Sequence, residues 1–270
     1  MHISQIMRLD ELGNKKKLSK RDMGANLDDY AKMGYCAESV AEYVLTLLNS
    51  NYEEWRAANT TLPYTDFPFN IKKMSPSGCL FDFQKLGDVS KNVLSRMTAE
   101  EVYDRVVAWS AEYDTELNAV LTADPSYAKS ILAIGRGGKK PRKDFTVWTD
   151  VKPYLDFFYD DLFAIKDAFP EGTDLADVKA TIEAFKASYD PADEMTVWFD
   201  KVKAIATDLG YAADMKAYKA DPTAFKGSVA DISGFLRLAV TGKLNAPDLY
   251  TVMQLLGQER VFARLDAFQA

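Results

Sequence analysis

From Gly24 onward the apolar residues recur at intervals of three and four, and nowhere do they alternate with polar ones over a useful length. That regularity restricts the chain to helices. Val40, Tyr43, Val44, Leu47 and Leu48 make one amphipathic face, stopped by Asn49-Ser50-Asn51. Leu27, Tyr30 and Ala31 predict a shorter helix ended by Gly34. Thr98 with Glu101 reads as a capping box opening a helix that turns Val102, Val106 and Trp109 inward. Asp124-Pro125 starts the next, carrying Tyr127, Ile131 and Leu132 to Gly135. A long aromatic helix is predicted from Asp150 through Tyr154, Phe157, Phe158 and Leu162 to about Ala168, with Pro170-Glu171-Gly172 as a linker. Beyond it, Thr173 caps a helix bearing Leu175, Val178, Ile182 and Phe185. Trp198, Val202, Ile205 and Leu209 follow, with a stop at Gly210. The segments 228–241 and 245–256 end at Gly242 and Gly257, and Val261, Phe262 and Leu265 mark a last helix. The expected fold class is all-α.

Composition removes several kinds of chemistry. The chain has a single histidine, His2, and two distant cysteines, Cys36 and Cys79, so no Cys/His metal cluster can be assembled and no metal is expected. A Ser-His-Asp triad built on so terminal a histidine is not expected either. Gly135-Arg136-Gly137-Gly138 matches neither the phosphate loop nor the dinucleotide spacing. The neighbouring carboxylates Asp160-Asp161 and Glu53-Glu54 point apart and read as solvated faces. Apolar runs such as Phe157-Phe158-Tyr159 are far too short to cross a bilayer, and two cysteines suit a reducing compartment. A cytoplasmic protein with no membrane partner is therefore expected. A net charge of −7 argues against indiscriminate nucleic-acid binding and against DNA as a partner, but allows local concentrations of positive charge.

Two such concentrations stand out. Lys15-Lys16-Lys17-Leu18-Ser19-Lys20-Arg21 lies in a polar loop opened by Gly13-Asn14 and closed by Asp22-Met23-Gly24, where several ammonium groups suit neutralisation of a polyphosphate. Taken alone it reads first as a solvated basic loop, and only its context favours the phosphate reading. Arg136 to Lys143 places five cations in eight residues just after a predicted helix end. Either phosphate contact or the helix dipole accounts for it. The aromatic stretch from Asn59 to Met74 reads as a packed connection, since few basic residues interleave it as a base-stacking platform would need.

Lys17-Leu18-Ser19-Lys20-Arg21 resembles the lysine-serine-lysine signature loop of class I aminoacyl-tRNA synthetases, in the form typical of bacterial glutamyl-tRNA synthetases. The likeness extends along the chain. Met33-Gly34-Tyr35 with the following helix resembles the family's stem-contact region, and Phe81-Asp82 with Lys85-Leu86 the element closing it. Leu236-Arg237-Leu238-Ala239-Val240-Thr241-Gly242, Pro247, and Leu256-Gly257-Gln258-Glu259-Arg260-Val261 with Arg264-Leu265 resemble the end of the anticodon-binding domain.

The resemblance implies four parts. Residues 1–24 would be the end of the catalytic domain and 25–97 a helical stem-contact region, with 98–169 and 170–270 two helical anticodon-binding subdomains. It implies that Lys20 stabilises departing pyrophosphate while glutamate attacks the α-phosphate of ATP. Lys17 assists, Ser19 shapes the loop, and Lys17, Lys20 and Arg21 meet the ATP phosphates. Arg136, Lys139, Lys140, Arg142 and Lys143 would meet the tRNA backbone. Only 14 residues precede Lys15, so the family's nucleotide-binding domain is not among these residues. The expectation is therefore the C-terminal half of such an enzyme. It would be a monomer that binds glutamate-acceptor tRNA and is inactive alone, magnesium-bound ATP being used only by the complete enzyme. Two alternatives stay open: a helical interaction scaffold of synthetase ancestry that does not bind tRNA, and the glutaminyl relative, which the helical periodicity after residue 98 disfavours.

Overall fold

The computed structural model describes residues 5–19, 25–74 and 79–268, and the chain divides into two compact units, residues 1–154 and 155–270. Among the described residues the chain forms fourteen α-helices and one small sheet. The all-α expectation thus holds with one addition at the N-terminus.

In the first unit, β1 (Ile6–Leu9) and β2 (Lys15–Lys17) form an antiparallel hairpin with Arg8 opposite Lys16. The turn is tied by Asp10, whose Oδ1 accepts from the N–H groups of Leu12 (3.0 Å) and Asn14 (2.8 Å), while Gly13 takes a left-handed φ of 80°. β3 (Cys79–Leu80) adds in parallel on the other side of β1. The lysine run expected in a loop is therefore a strand edge. Strands of two to four residues are too short to carry a readable alternation.

Helices α1 (Leu27–Met33), α2 (Ala37–Leu48), α3 (Tyr52–Ala58) and α4 (Phe83–Arg96) follow. Tyr30, Tyr43 and Leu86 form a buried core joined by Phe81, Val40 and Leu47. The Phe81-Asp82 element has a mechanical role here. Asp82 caps α4 by accepting from Gln84 N (2.7 Å) and donates its own N–H to Tyr43 Oη at 2.6 Å. Glu42 is buried and held by Arg96 (2.6 Å) and Arg56 (3.1 Å). The stretch after α3, expected to be packed, is anchored mainly at Phe67, which is buried and stands edge-on to Tyr52 at 4.9 Å, while Leu62, Phe69 and Ile71 are exposed. The capping box of Thr98 and Glu101 is present and opens α5 (Ala99–Tyr113). This helix packs on α6 (Thr115–Ala123) and α7 (Pro125–Leu132) through Val102, Val106, Leu121 and Ile131.

The long aromatic helix does not form. Within the predicted helix only α8 (Val151–Leu155) and one 3-10 turn, Asp156–Phe158, persist, and an irregular segment with turns at 160–162 and 171–172 runs on to the next helix. The carbonyl of Phe157 accepts from Arg264 and that of Phe158 from Arg260, so these acceptors are not left to an i→i+4 ladder. Downstream, the N–H groups of Lys166 and Asp167 donate to the carbonyl of Gly242 at 2.8 and 3.1 Å. The Pro170-Glu171-Gly172 turn, read as a linker, lies inside the second unit.

The second unit is built around α12 (Val229–Thr241), capped by Ser228 and ended by Gly242 in the left-handed conformation. Eight of its residues are buried, and α9 (Leu175–Ser188), α10 (Met195–Asp208), α13 (Leu249–Leu256) and α14 (Gln258–Ala267) pack on it. The short α11 (Met215–Ala220) completes the set. Asp174, not Thr173, caps α9, and α13 begins at Asp248 rather than Asn245 because Pro247 intervenes. Gly242 has φ +71°, and a Cβ there would collide with the Ala164 carbonyl. Gly242→Ala is expected to lower stability by more than the ~1–2 kcal/mol of left-handed strain alone. Thermal melting measures this, and an unchanged midpoint would refute the close approach.

Candidate nucleic-acid interface

Both basic segments lie in the first unit. In the hairpin, strand geometry sends Lys15 and Lys17 to one face and Lys16 to the other, and all three are exposed. The strand is pinned beyond its end, since Leu18 donates its N–H to Ile6 O at 3.0 Å. The Leu18 side chain lines a cleft of about 540 Å3 with Arg8, Leu9, Leu80, Phe81 and Phe83. Ser19 is exposed directly after this anchor. Lys20 and Arg21 lie outside the described residues. At the turn, the N–H of Asn14, with that of Leu12, holds the Asp10 carboxyl below the usual carboxylate range. The turn thus keeps its acceptor charged while the strand displays cations.

The second segment is not a uniform basic loop. Arg136 turns inward: its Nε donates to Leu132 O (2.8 Å) at the end of α7, and its Nη1 to Leu94 O (2.6 Å) and Met97 O (3.3 Å) at the end of α4. Its guanidinium lies 5.3 Å from the Phe145 ring centroid. Burial presses its pKa downward and raises that of the neighbouring Tyr154 phenol. Arg136 therefore ties two helix ends together, as the helix-dipole reading of this cluster allows. Arg142 folds back as well. Its N–H donates to Gly135 O at 3.0 Å, its Cγ lies 2.6 Å from where a Gly135 Cβ would stand, and its guanidinium grips Asp144 at 2.6–3.1 Å.

Lys139, Lys140 and Lys143 remain exposed, and among the described residues no carboxylate lies within 4.0 Å of them. Five predicted cations thus resolve into a buried-facing Arg136, an exposed Arg142 paired with Asp144, and three displayed ammonium groups. Such a set suits phosphate contacts, which position a nucleic acid without reading its sequence. No group of three His, Cys, Asp or Glu able to hold a metal occurs among the described residues. No described helix is long and apolar enough to cross a membrane.

Sequence reasoning missed Asp144. Its only signal was a carboxylate placed two residues after Arg142 in an otherwise basic run. It also left open what the C-terminal arginines do. Arg237 donates to Ala246 O (2.9 Å) and Pro247 O (2.6 Å), bracing the turn into α13. Arg264 donates to Phe157 O (2.6 Å) and Val240 O (2.9 Å), and Arg260 to Phe158 O (2.9 Å).

A family model described as an anticodon binding domain matches residues 140–269. A glutamate–tRNA ligase of Acetivibrio thermocellus is 42% identical over 265 residues, 98% of this chain and 48% of the relative. One from Sorangium cellulosum is 43% identical over 283 residues, covering 99% and 50%. The chain thus spans about half the length of the curated relatives it matches. A crystal structure of a glutamate tRNA ligase from Elizabethkingia meningosepticum, in complex with its amino acid, superposes with a TM-score of 0.63 at 18% identity. It covers 98% of this chain and 50% of that one, and shares the fold.

Proposed function

This chain is homologous along its whole length to glutamate–tRNA ligases, and on that premise we propose that it is the tRNA-gripping, anticodon-binding part of such an enzyme. The observation that carries the reading is the anticodon binding domain match over residues 140–269. In this role the helical surface holds a glutamate-acceptor tRNA, Lys139, Lys140 and Lys143 meet its phosphates, and the second unit meets the anticodon. Phosphate contacts set register without reading sequence, so discrimination falls to the anticodon contacts.

In the complete reaction ATP is a substrate. Glutamate attacks its α-phosphate and pyrophosphate leaves; the tRNA 3′-terminal hydroxyl then takes the glutamyl group from the adenylate, and AMP is released. The donor set of the hairpin suits the departing pyrophosphate: Lys17 sits on a pinned strand edge, and Ser19, Lys20 and Arg21 follow at once. The 270 residues by themselves are proposed not to activate glutamate. A scaffold without tRNA binding gains no support, because it has no use for an intact Lys17–Arg21 run.

Fluorescence titration with glutamate-acceptor tRNA tests the reading. Replacing two anticodon bases is expected to weaken binding by roughly 1–3 kcal/mol per base, the usual cost of lost base recognition. Equal affinity for the altered tRNA would remove anticodon binding from this chain.

A further inference from the structure

The basic segment after α7 is built as a closed loop. One arm is nailed down by Arg136, which reaches the carbonyls that end α4 and α7. The loop closes where Arg142 N–H meets Gly135 O at 3.0 Å, and the Arg142 stem lies across the bare face of Gly135, whose φ is +70°. A Cβ added at Gly137 or Gly138 at the tip would meet open space, and Pro141 stiffens the return. What holds Arg142 in this folded pose is Asp144. Its carboxylate takes Nε at 3.0 and 3.1 Å and Nη2 at 2.6 Å, a two-toothed grip. Asp144 is half-buried and also faces Arg136 and Tyr154, so it is the counter-charge at the base of the loop. Immediately before it stands Lys143, and Lys139 and Lys140 stand on the loop itself.

We propose that Asp144 is a positioning residue for tRNA: by gripping Arg142 over Gly135 it fixes the loop on which Lys139, Lys140 and Lys143 present their ammonium groups to the phosphate backbone. The proposal rests on the tRNA-binding reading above but assigns a role to a residue that touches no phosphate. Its consequence runs against simple charge counting. A carboxylate beside three cations lowers the local potential, so removing it should tighten binding to a polyanion if field strength alone mattered. Positioning requires the opposite. A loop that has lost its base spreads the three ammonium groups over many arrangements, and each phosphate contact must then meet the entropy of ordering it.

The test uses the full chain and glutamate-acceptor tRNA. Asp144→Asn is expected to weaken binding about fivefold to tenfold and to flatten the plot of log affinity against log salt by about one unit, as for a lost phosphate contact. Asp144→Glu, which keeps the carboxylate, is expected to restore most of the affinity. Lys139→Ala, Lys140→Ala and Lys143→Ala combined should flatten the slope by about two to three units. In that triple background Asp144→Asn should cost nothing further. A general loss of folding would instead weaken binding in both backgrounds, and melting curves recorded alongside detect it. If the triple variant weakens binding and Asp144→Asn tightens it or leaves it unchanged, the positioning role is wrong while tRNA binding stands. If the triple variant itself has the wild-type salt slope, phosphate contact by this loop is wrong, and the proposal falls with it.

Discussion

Replacing Arg264 by Met is expected to destabilise the second unit by about 3–5 kcal/mol, a large share of the stability of a domain this size. Arg264 is only 6% exposed, yet it holds backbone, carboxylate and ring partners at once. Its Nη1 donates to the carbonyls of Phe157 and Val240, its Nη2 reaches Asp160 at 2.9 Å, and its guanidinium lies 4.0 Å from the Phe163 ring centroid. Two of these acceptors are backbone carbonyls, one in the middle of the Asp156–Phe158 turn and one in the last turn of α12. Met restores the bulk but supplies no donor, and both carbonyls then stay buried without a charged partner. The Asp160 pair contributes little, because that carboxylate is well exposed. Amide exchange of α12 under increasing urea reads the change locally. A loss below about 1 kcal/mol would mean that the segment around Phe157 is held by packing alone.

The second large effect belongs to chemistry. Lys20→Ala, made in a ligase of full relative length carrying these residues, is expected to slow glutamyl-adenylate formation about 100-fold. This is the usual cost of deleting one preorganised charge beside a developing phosphate anion. Affinity for tRNA should hardly change, since the loss concerns the transition state rather than the tRNA backbone. Pyrophosphate exchange and tRNA titration on the same preparation separate the two. An unchanged exchange rate with a lowered melting temperature would make Lys20 structural.

Much of the helical architecture was legible in local chemistry. Thr98 with Glu101, Asp124 before Pro125, Ser228 before α12, and the glycines at 34 and 242 each mark a helix end at the residue where it occurs. Such signals act over one turn, so sequence neighbours suffice to read them. The failures have a common cause in long-range partners. The aromatic stretch 157–168 has helical periodicity, but its first two carbonyls, those of Phe157 and Phe158, are taken by arginines about a hundred residues away, which no local rule anticipates. The hairpin escaped notice because three lysines in a row carry no apolar alternation; its register is set by the Asp10 turn. For the interface, the basic character of 136–143 was plain, but not its sorting. Arg136 and Arg142 have stems and forks that reach carbonyls and a carboxylate, while the glycine-rich tip leaves the lysines outside. The C-terminal resemblance likewise follows architecture, since Arg237, Arg260 and Arg264 all donate to backbone carbonyls.

Nuclease footprinting of glutamate-acceptor tRNA bound to the 270-residue chain tests the grip on tRNA most directly. Protection is predicted at the anticodon loop and along the inner side of the molecule, weakened on that inner side when Lys139, Lys140 and Lys143 are replaced by Ala. A tRNA cleaved identically with and without saturating protein would contradict it.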